Sequence, residues 1–176
     1  PWLRLPLPPA AGGLAALRNA DGLIELFLRD KASKHLLVTR QSAPGSVHGP
    51  WRAITDMGFA YSGQPTTSLN EHGKVLAAAL NEVEHSLWLV EEGRAVRIGE
   101  GIASTPSLYA RDGVLHVAAR AAQDRQAYWL RARSGGAWGA ATVLEPPPAQ
   151  GGTSFPFAAT LQASVPAAPT LAAHLP

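Results

Sequence analysis

Residues 14–38 read LAALRNADGLIELFLRDKASKHLLV, and the same design recurs as PTTSLNEHGKVLAAALNEVEHSLWLV at residues 65–90 and as PSLYARDGVLHVAARAAQDRQAYWLR at residues 106–131. Each copy has a strand-like run, a turn that ends in glycine and a second apolar run. Repeats of roughly 40 to 50 residues are typical of stacks or rings of small sheets. The sequence therefore predicts an all-β chain, arranged as a β-propeller-like array of four-stranded blades.

The turn glycines set the register of the repeat. In the three copies the position 15 or 16 residues after the glycine is held by Leu37, Trp88 and Trp129. Asp and Gly tolerate the positive φ of a tight hairpin, which suits NADG and RDG. In the first copy the predicted strands are 14–18, 23–29, 35–40 and 51–55. Helix is the competing interpretation for the alanine-rich run KVLAAALNEVEHSLWLV, but the aligned copies are β-branched and aromatic.

A tryptophan closes the first and third copies, in GPWRAI at 49–54 and GAWGAATVL at 136–144. PWLRLP at 1–6 resembles the same closing strand, and GTSFPFAATL at 152–161 resembles the opening of another copy. The predicted organisation has three full blades at 11–58, 59–101 and 102–145. Residues 1–10 are a closing strand of a partial blade or a linker, and 146–176 are a Pro/Ala-rich connector and partial blade. A closed ring, a piece of a longer protein and a ring built from several chains all remain open.

Composition narrows the function classes. Apolar residues make up 46% of the 176 residues and charged ones 16%, with 17 Gly and 15 Pro, as suits short strands and tight turns. No apolar run approaches the roughly 20 residues of a membrane span. The formal charge is +2 and the basic residues are scattered, which disfavours nucleic-acid binding. The lack of cysteine excludes disulfides but leaves the compartment open.

The sequence carries no catalytic or metal signature. The six histidines lack metal-ligand spacing. The carboxylate pair of a glycosidase has four candidates, for which solvated loops are the favoured interpretation: Glu82, Glu84, Glu91 and Glu92. We therefore predict a protein that is not an enzyme and that uses no cofactor or metal.

The segment NADGLIELFLRD at 19–30, followed by an aromatic-capped strand, a Gly/Pro loop and a closing Trp, resembles the repeat of bacterial and fungal lectin β-propellers. These are the Photorhabdus-type and Psathyrella-type lectins and their tectonin relatives. The resemblance covers about residues 11–145, although the middle copy lacks the closing Trp and Leu37 stands where the pattern prefers Trp. It implies sugar binding in clefts between blades, with an aromatic face against the ring. It also implies a secreted or cell-surface protein, and heavy use of Ala, Arg, Gly and Pro favours a bacterial source.

Four aromatic residues are the candidate ligand-binding residues: Trp88, Trp129, Tyr109 and Tyr128. Packing between blades is the competing interpretation for them, and it is the favoured one for Trp2, Trp51 and Trp138. The predicted function is non-catalytic, lectin-like binding of carbohydrate or glycoconjugate. The alternative is a protein-interaction or structural module of a larger secreted protein or assembly, partnered by other domains of a longer chain or by further copies. A sialidase-like propeller hydrolase is disfavoured, because it needs an arginine cluster and a Tyr nucleophile.

Overall fold

The computed structural model describes residues 5, 7–45, 50–123 and 127–144, and these residues contain strands but no helix. The all-β prediction is therefore confirmed. No helix in this part of the chain is available to cross a membrane. The predictions for Trp2 and for the partial blade at 146–176 concern residues outside the described ranges.

The strands form three antiparallel sheets in chain order. Sheet 1 contains β1 (Ala15–Arg18), β2 (Ile24–Arg29), β3 (His35–Arg40) and β4 (Thr55–Ala60). Sheet 2 contains β5 (Ser62–Leu69), β6 (Val75–Asn81), β7 (Ser86–Glu91) and β8 (Arg94–Glu100). Sheet 3 contains β9 (Ser107–Arg111), β10 (Val114–Arg120), β11 (Tyr128–Ser134) and two short strands that both pair with β11, β12 (Ala137–Trp138) and β13 (Thr142–Leu144).

The predicted turns are present where the glycines placed them. Gly22, Gly73 and Gly113 all have positive φ, between 69° and 83°. In the first two turns an asparagine side chain closes the loop: the Oδ1 of Asn19 accepts from the Leu23 amide, and that of Asn70 accepts from the Lys74 amide. Each turn thus joins two strands of one sheet, as hairpins of this type do.

The prediction of the fourth strand at 51–55 was wrong. Trp51 makes an isolated bridge with Gln41, and the regular pairing of β4 with β3 occurs instead at Thr55–Ala60. Between these two places the Oγ1 of Thr39 donates to the carbonyl of Arg52, and the register of β3 shifts between His35 and Leu37. The chain therefore leaves the ladder after Trp51 and returns to it at Thr55.

Sheet 2 lies between the other two, and its strand β6 is buried on both sides. All seven residues of β6 are buried, including the run Ala77, Ala78 and Ala79. Val75, Ala77 and Ala79 join the core with sheet 1. Leu76, Ala78 and Leu80 join the core with sheet 3. The alanine run is therefore a strand, because successive side chains of a strand point to opposite faces and both faces are covered here.

The two sheet interfaces pair equivalent faces in the same order. We call the side of a sheet that meets the next sheet in the chain its forward face, and the opposite side its rear face. The forward face of sheet 1, with Phe27 and Val38, packs on the rear face of sheet 2. The forward face of sheet 2, with Leu76 and Leu89, packs on the rear face of sheet 3. Sheets thus stack head to tail.

The first strands of successive sheets also touch one another, β1 with β5 and β5 with β9. The side chain of Gln64 donates to the carbonyl of Leu14, and the hydroxyl of Thr66 donates to the carbonyl of Pro106. Gly13 has no room for a side chain, because a Cβ there would lie 2.4 Å from the carbonyl oxygen of Gly63. Close backbone approach thus joins the sheets along this edge.

Candidate functional site

A cleft opens between sheets 2 and 3 where β7 and β8 face the β11–β12 turn. It encloses about 570 Å³, and we call it the Trp138 cleft. It is lined by residues of both sheets: Leu89, Glu91, Glu92, Arg94, Val96, Arg133, Gly136 and Trp138. Because its walls come from two repeats, the head-to-tail packing of the sheets creates the cleft.

One wall is an ion pair that crosses from sheet 2 to sheet 3. Arg133 donates to the Glu91 carboxylate through both terminal nitrogens, at 2.6 and 3.1 Å, and the side-chain amide of Asn70 donates to the same carboxylate at 2.6 Å. The hydrogen bond from Arg133 holds the pKa of Glu91 below its usual value, against the opposing effect of burial. The Arg133 side chain is only 10% exposed, so its positive charge is paired with Glu91 within the wall.

The second wall is the indole of Trp138, which is half-buried. The guanidinium carbons of Arg131 and Arg133 lie 5.5 and 5.7 Å from the ring centroid, at the distance of a cation–π contact. Arg131 also donates to the carbonyls of Gly139 and Ile98. These contacts orient the indole at the side of the cleft.

The remaining lining is available to a ligand. Val96 is 54% exposed and supplies an apolar surface. The side chains of Arg94 and Glu92 are exposed and form no ion pair within the part of the chain that the structure describes. The Trp138 cleft thus combines an ordered aromatic wall, an apolar patch and polar groups of both charges.

The cleft between sheets 1 and 2 has a different character. It encloses about 250 Å³ and is lined by Glu25, Arg40, Arg52 and Glu92 among others, with no aromatic side chain. Glu25 is buried, and burial raises its pKa although Arg40 Nη1 lies 3.4 Å from its carboxylate. The middle copy lacks a closing tryptophan, so nothing equivalent to Trp138 projects into this cleft.

Trp88 and Trp129, two of the predicted site residues, occupy equivalent places on the rear faces of sheets 2 and 3. Trp88 stacks on Phe59, with the ring centroids 4.8 Å apart, and its Nε1 donates to the hydroxyl of Ser86. Trp129 is 5% exposed and belongs to the core between sheets 2 and 3. Both indoles pack between neighbouring sheets.

Tyr109 and Tyr128 both lie on the forward face of sheet 3, on the two strands that flank β10. Tyr109 is 45% exposed and its ring is tilted against that of His116, with centroids 6.3 Å apart. Tyr128 is half-buried and pairs in register with Arg120. The four predicted residues are therefore not one site: the tyrosines share a face, and the tryptophans lie in two separate interfaces.

The sequence interpretation missed the Trp138 cleft. Trp138 recurs at the position of Trp51, and this recurrence marked the residue as part of the repeat. It indicated packing between sheets as readily as ligand binding. Glu91 was assigned to a solvated loop, whereas it ends β7 and pairs with Arg133, 42 residues along the chain. No group of three His, Asp or Glu side chains within the described ranges is placed to hold a metal ion.

The comparisons with protein families and with curated proteins gave no match. No protein-family model matches this chain, and no curated protein matches it significantly.

Proposed function

We propose that this chain is a non-catalytic, propeller-type repeat module that binds carbohydrate in the Trp138 cleft. The observation that carries the proposal is the oriented indole of Trp138 beside exposed Val96 and the exposed side chain of Arg94. As the resemblance to lectin repeats implies, we place this function in a secreted or cell-surface protein.

The propeller arrangement is supported by the packing of the described sheets. Three sheets repeat one head-to-tail interface, and their first strands touch in order along one edge. Blades around an axis have both properties, because their innermost strands converge. Clefts between blades then open on the side opposite to the first strands. The Trp138 cleft, which is lined by β8 and the β11–β12 turn, lies on that side.

The cleft has the surface that a pyranose requires. A sugar ring presents an apolar C–H face and a rim of hydroxyls, so it needs an apolar or aromatic surface and nearby hydrogen-bonding groups. Val96 and the accessible part of Trp138 supply the first, while Arg94 and Glu92 supply donors and acceptors. Such a site is open and small, so we expect weak binding at each site.

The charges of the cleft favour binding over hydrolysis. A glycosidase acid must be protonated near neutral pH, which requires a raised pKa. The pKa of Glu91 is lowered instead, since its carboxylate accepts hydrogen bonds from Arg133 and Asn70. Glu91 therefore serves to hold Arg133 and the wall of the cleft.

A glycan-array screen of the full chain, followed by calorimetry with any glycan that binds, tests the proposal. We expect Arg94→Ala to weaken binding by roughly tenfold, the effect of about 1.4 kcal/mol, and Trp138→Ala to abolish it. Arg97→Ala, which removes a charge from the same strand outside the Trp138 cleft, should bind normally. Circular dichroism and a thermal melt confirm that each variant is folded.

Trp88→Ala and Trp129→Ala complete the set, because they test the residues that the sequence favoured. If a glycan binds and only these two variants lose it, the site is not the Trp138 cleft. A folded wild-type chain that binds no glycan on the array would contradict the proposed function itself.

A further inference from the structure

The cleft between sheets 1 and 2, which we call the Arg52 cleft, brings two arginines together on one wall. Arg40 and Arg52 both line it. They lie opposite each other on neighbouring segments of sheet 1, since the amide of Arg52 donates to the carbonyl of Arg40 at 2.8 Å. Like charges placed opposite each other on paired strands are destabilising. The stability of the sheet therefore does not account for this pair of arginines.

The other sheet interface joins the charges at the equivalent place. Arg40 and Glu91 occupy the same position of the repeat, 18 residues after the turn glycine. Between sheets 2 and 3, Glu91 pairs with Arg133 of the next sheet at 2.6 Å. Between sheets 1 and 2, the charged residue of the next sheet that lines the cleft is Glu92, and among the described contacts it forms no ion pair with Arg40 or Arg52. The two arginines thus line an opening of about 250 Å³ and are not paired across it.

Both guanidinium groups have hydrogen-bond donors to offer, because an arginine carries five N–H donors. Within the described ranges the side chain of Arg52 makes no hydrogen bond or ion pair, and Arg40 makes a single contact, from Nη1 to the Glu25 carboxylate at 3.4 Å. That distance exceeds the roughly 2.7–2.9 Å of a strong charge-assisted hydrogen bond. Most of the donors on this wall are therefore available to a ligand.

Glu25 can give up its negative charge when an anion arrives. Its side chain is 8% exposed, and burial raises its pKa against the attraction of Arg40 and Arg52, while the charge of Glu92 acts in the same direction as burial. An anion bound beside Arg40 raises this pKa further, because a nearby like charge disfavours the ionised form. The carboxyl therefore takes up a proton as the anion binds, which leaves both arginines to the ligand.

We propose that the Arg52 cleft binds the oxyanion group of a small ligand, a carboxylate or a sulfate, through the guanidinium groups of Arg40 and Arg52. Planar guanidinium groups match such oxyanions, because they can donate two parallel N–H···O hydrogen bonds. The bound anion also offsets the repulsion between the two arginines that sheet 1 places opposite each other. This inference does not depend on carbohydrate binding in the Trp138 cleft.

Nuclear magnetic resonance of the full chain tests the site, with sodium sulfate and sodium glucuronate titrated separately at pH 6 and constant ionic strength. The backbone amide of Gly93 is the reporter, because Gly93 lines the Arg52 cleft. We expect a saturable shift of this signal, and Arg52→Gln should weaken the binding at least tenfold. Arg111→Gln is the matched control, since it removes the charge of an exposed arginine in sheet 3. A thermal melt shows that the variants are folded.

The two probes distinguish the sources of the oxyanion. A response to sulfate alone assigns the cleft to a small free anion, whereas a response to glucuronate assigns it to the acidic group of a larger ligand. The indole N–H signal of Trp138 reports separately on the other cleft. A chain whose Gly93 signal shows no saturable shift with either probe overturns the proposal. So does binding that Arg52→Gln and Arg111→Gln weaken equally, which would mean general attraction between charges.

The pH dependence tests the part of Glu25. Binding should strengthen between pH 7 and pH 5, because proton uptake by Glu25 accompanies it. Glu25→Gln should therefore bind at pH 7 as tightly as the wild-type chain binds at pH 5. Affinity that is the same at both pH values in the wild-type chain would overturn the part assigned to Glu25.

Discussion

Gly99 in β8 lies directly against the indole of Trp129 in β11: a Cβ atom built on Gly99 would lie 2.6 Å from Cζ2 and 2.9 Å from Cη2 of the ring. Glycine at this position makes the space that the tryptophan fills. The pair fastens the last long strand of sheet 2 to the rear face of sheet 3, beside the core that the two sheets share.

The contact predicts that Gly99→Ala destabilises the fold by about 1–3 kcal/mol, the usual cost of inserting a methyl group into a packed interface. Urea denaturation gives the change as a lower midpoint. Gly139→Ala is the control, since a Cβ there meets only the Ala132 carbonyl at an ordinary 3.6 Å. Equal stability of Gly99→Ala and wild type would show that Trp129 adjusts freely.

The Glu91–Arg133 pair predicts a loss of stability in acid. A lowered folded-state pKa contributes stability above the ordinary carboxyl pKa, and that stability is lost as the pH falls through the folded value. At pH 7 we expect Glu91→Gln to cost about 1.5–3 kcal/mol, as for a hydrogen bond to a charged group. Equilibrium unfolding at pH 7 and pH 3 measures the difference, which should shrink in acid.

Glu100→Gln is the control for this measurement. Its carboxylate pairs with Arg97 at 3.2 Å but is 74% exposed, so its loss should have little effect. A Glu100 variant as unstable as the Glu91 variant would mean that the two pairs do not differ in strength.

For Glu25 we expect the stability of the fold to depend on pH in the opposite direction. Burial raises its pKa above the ordinary 4.5, outweighing Arg40. The protonated form is therefore favoured on folding, and the associated stability is present below the ordinary pKa and lost as the pH rises through the folded value. Glu25→Gln should remove this loss, so the variant gains stability relative to wild type between pH 4 and pH 8. A variant that becomes less stable over that range would show that Arg40 dominates.

The buried hydrogen bond of Tyr61 should contribute to the stability of the fold. The residue is 1% exposed, its hydroxyl donates to the carbonyl of Gly13 at 2.7 Å, and burial raises its pKa to about 12. Tyr61→Phe leaves that carbonyl unpaired and should cost about 1–3 kcal/mol. Thermal unfolding measures the loss, and Tyr109→Phe on the exposed face should lie within about 0.5 kcal/mol of wild type. A Tyr61 variant with wild-type stability contradicts the assignment.

The repeat in the sequence predicted the sheets well where the pairing is local. The turn glycines and the apolar runs placed β1, β2 and β3 within one residue of their observed bounds. The fourth strand was misplaced, because Trp51 forms only an isolated bridge and the ladder resumes at Thr55. Spacing along the sequence does not show such a departure from the ladder.

The site was less accessible to sequence reasoning. Trp88 and Trp129 occupy one position of the repeat, and Trp138 occupies the position of Trp51. A recurring position indicates that equivalent sheets place the residue in the same way. Whether its ring faces a core or a cleft depends on the neighbour. Trp129 packs against Gly99 and is only 5% exposed, whereas Trp138 meets the Glu91–Arg133 pair and exposed Val96. That difference arises from side chains about 40 residues apart in sequence.

The burial of β6 on both faces has a consequence for the order of folding. Neither face of β6 suits water, so we expect the hairpins of sheet 2 to gain their main stabilisation only when sheets 1 and 3 are both in place. A chain that emerges from the ribosome with sheets 1 and 2 complete still exposes Leu76, Leu80 and Leu89, and it reaches its final stability after β11 is made. The middle repeat, rather than either end, therefore makes the three sheets one cooperative unit.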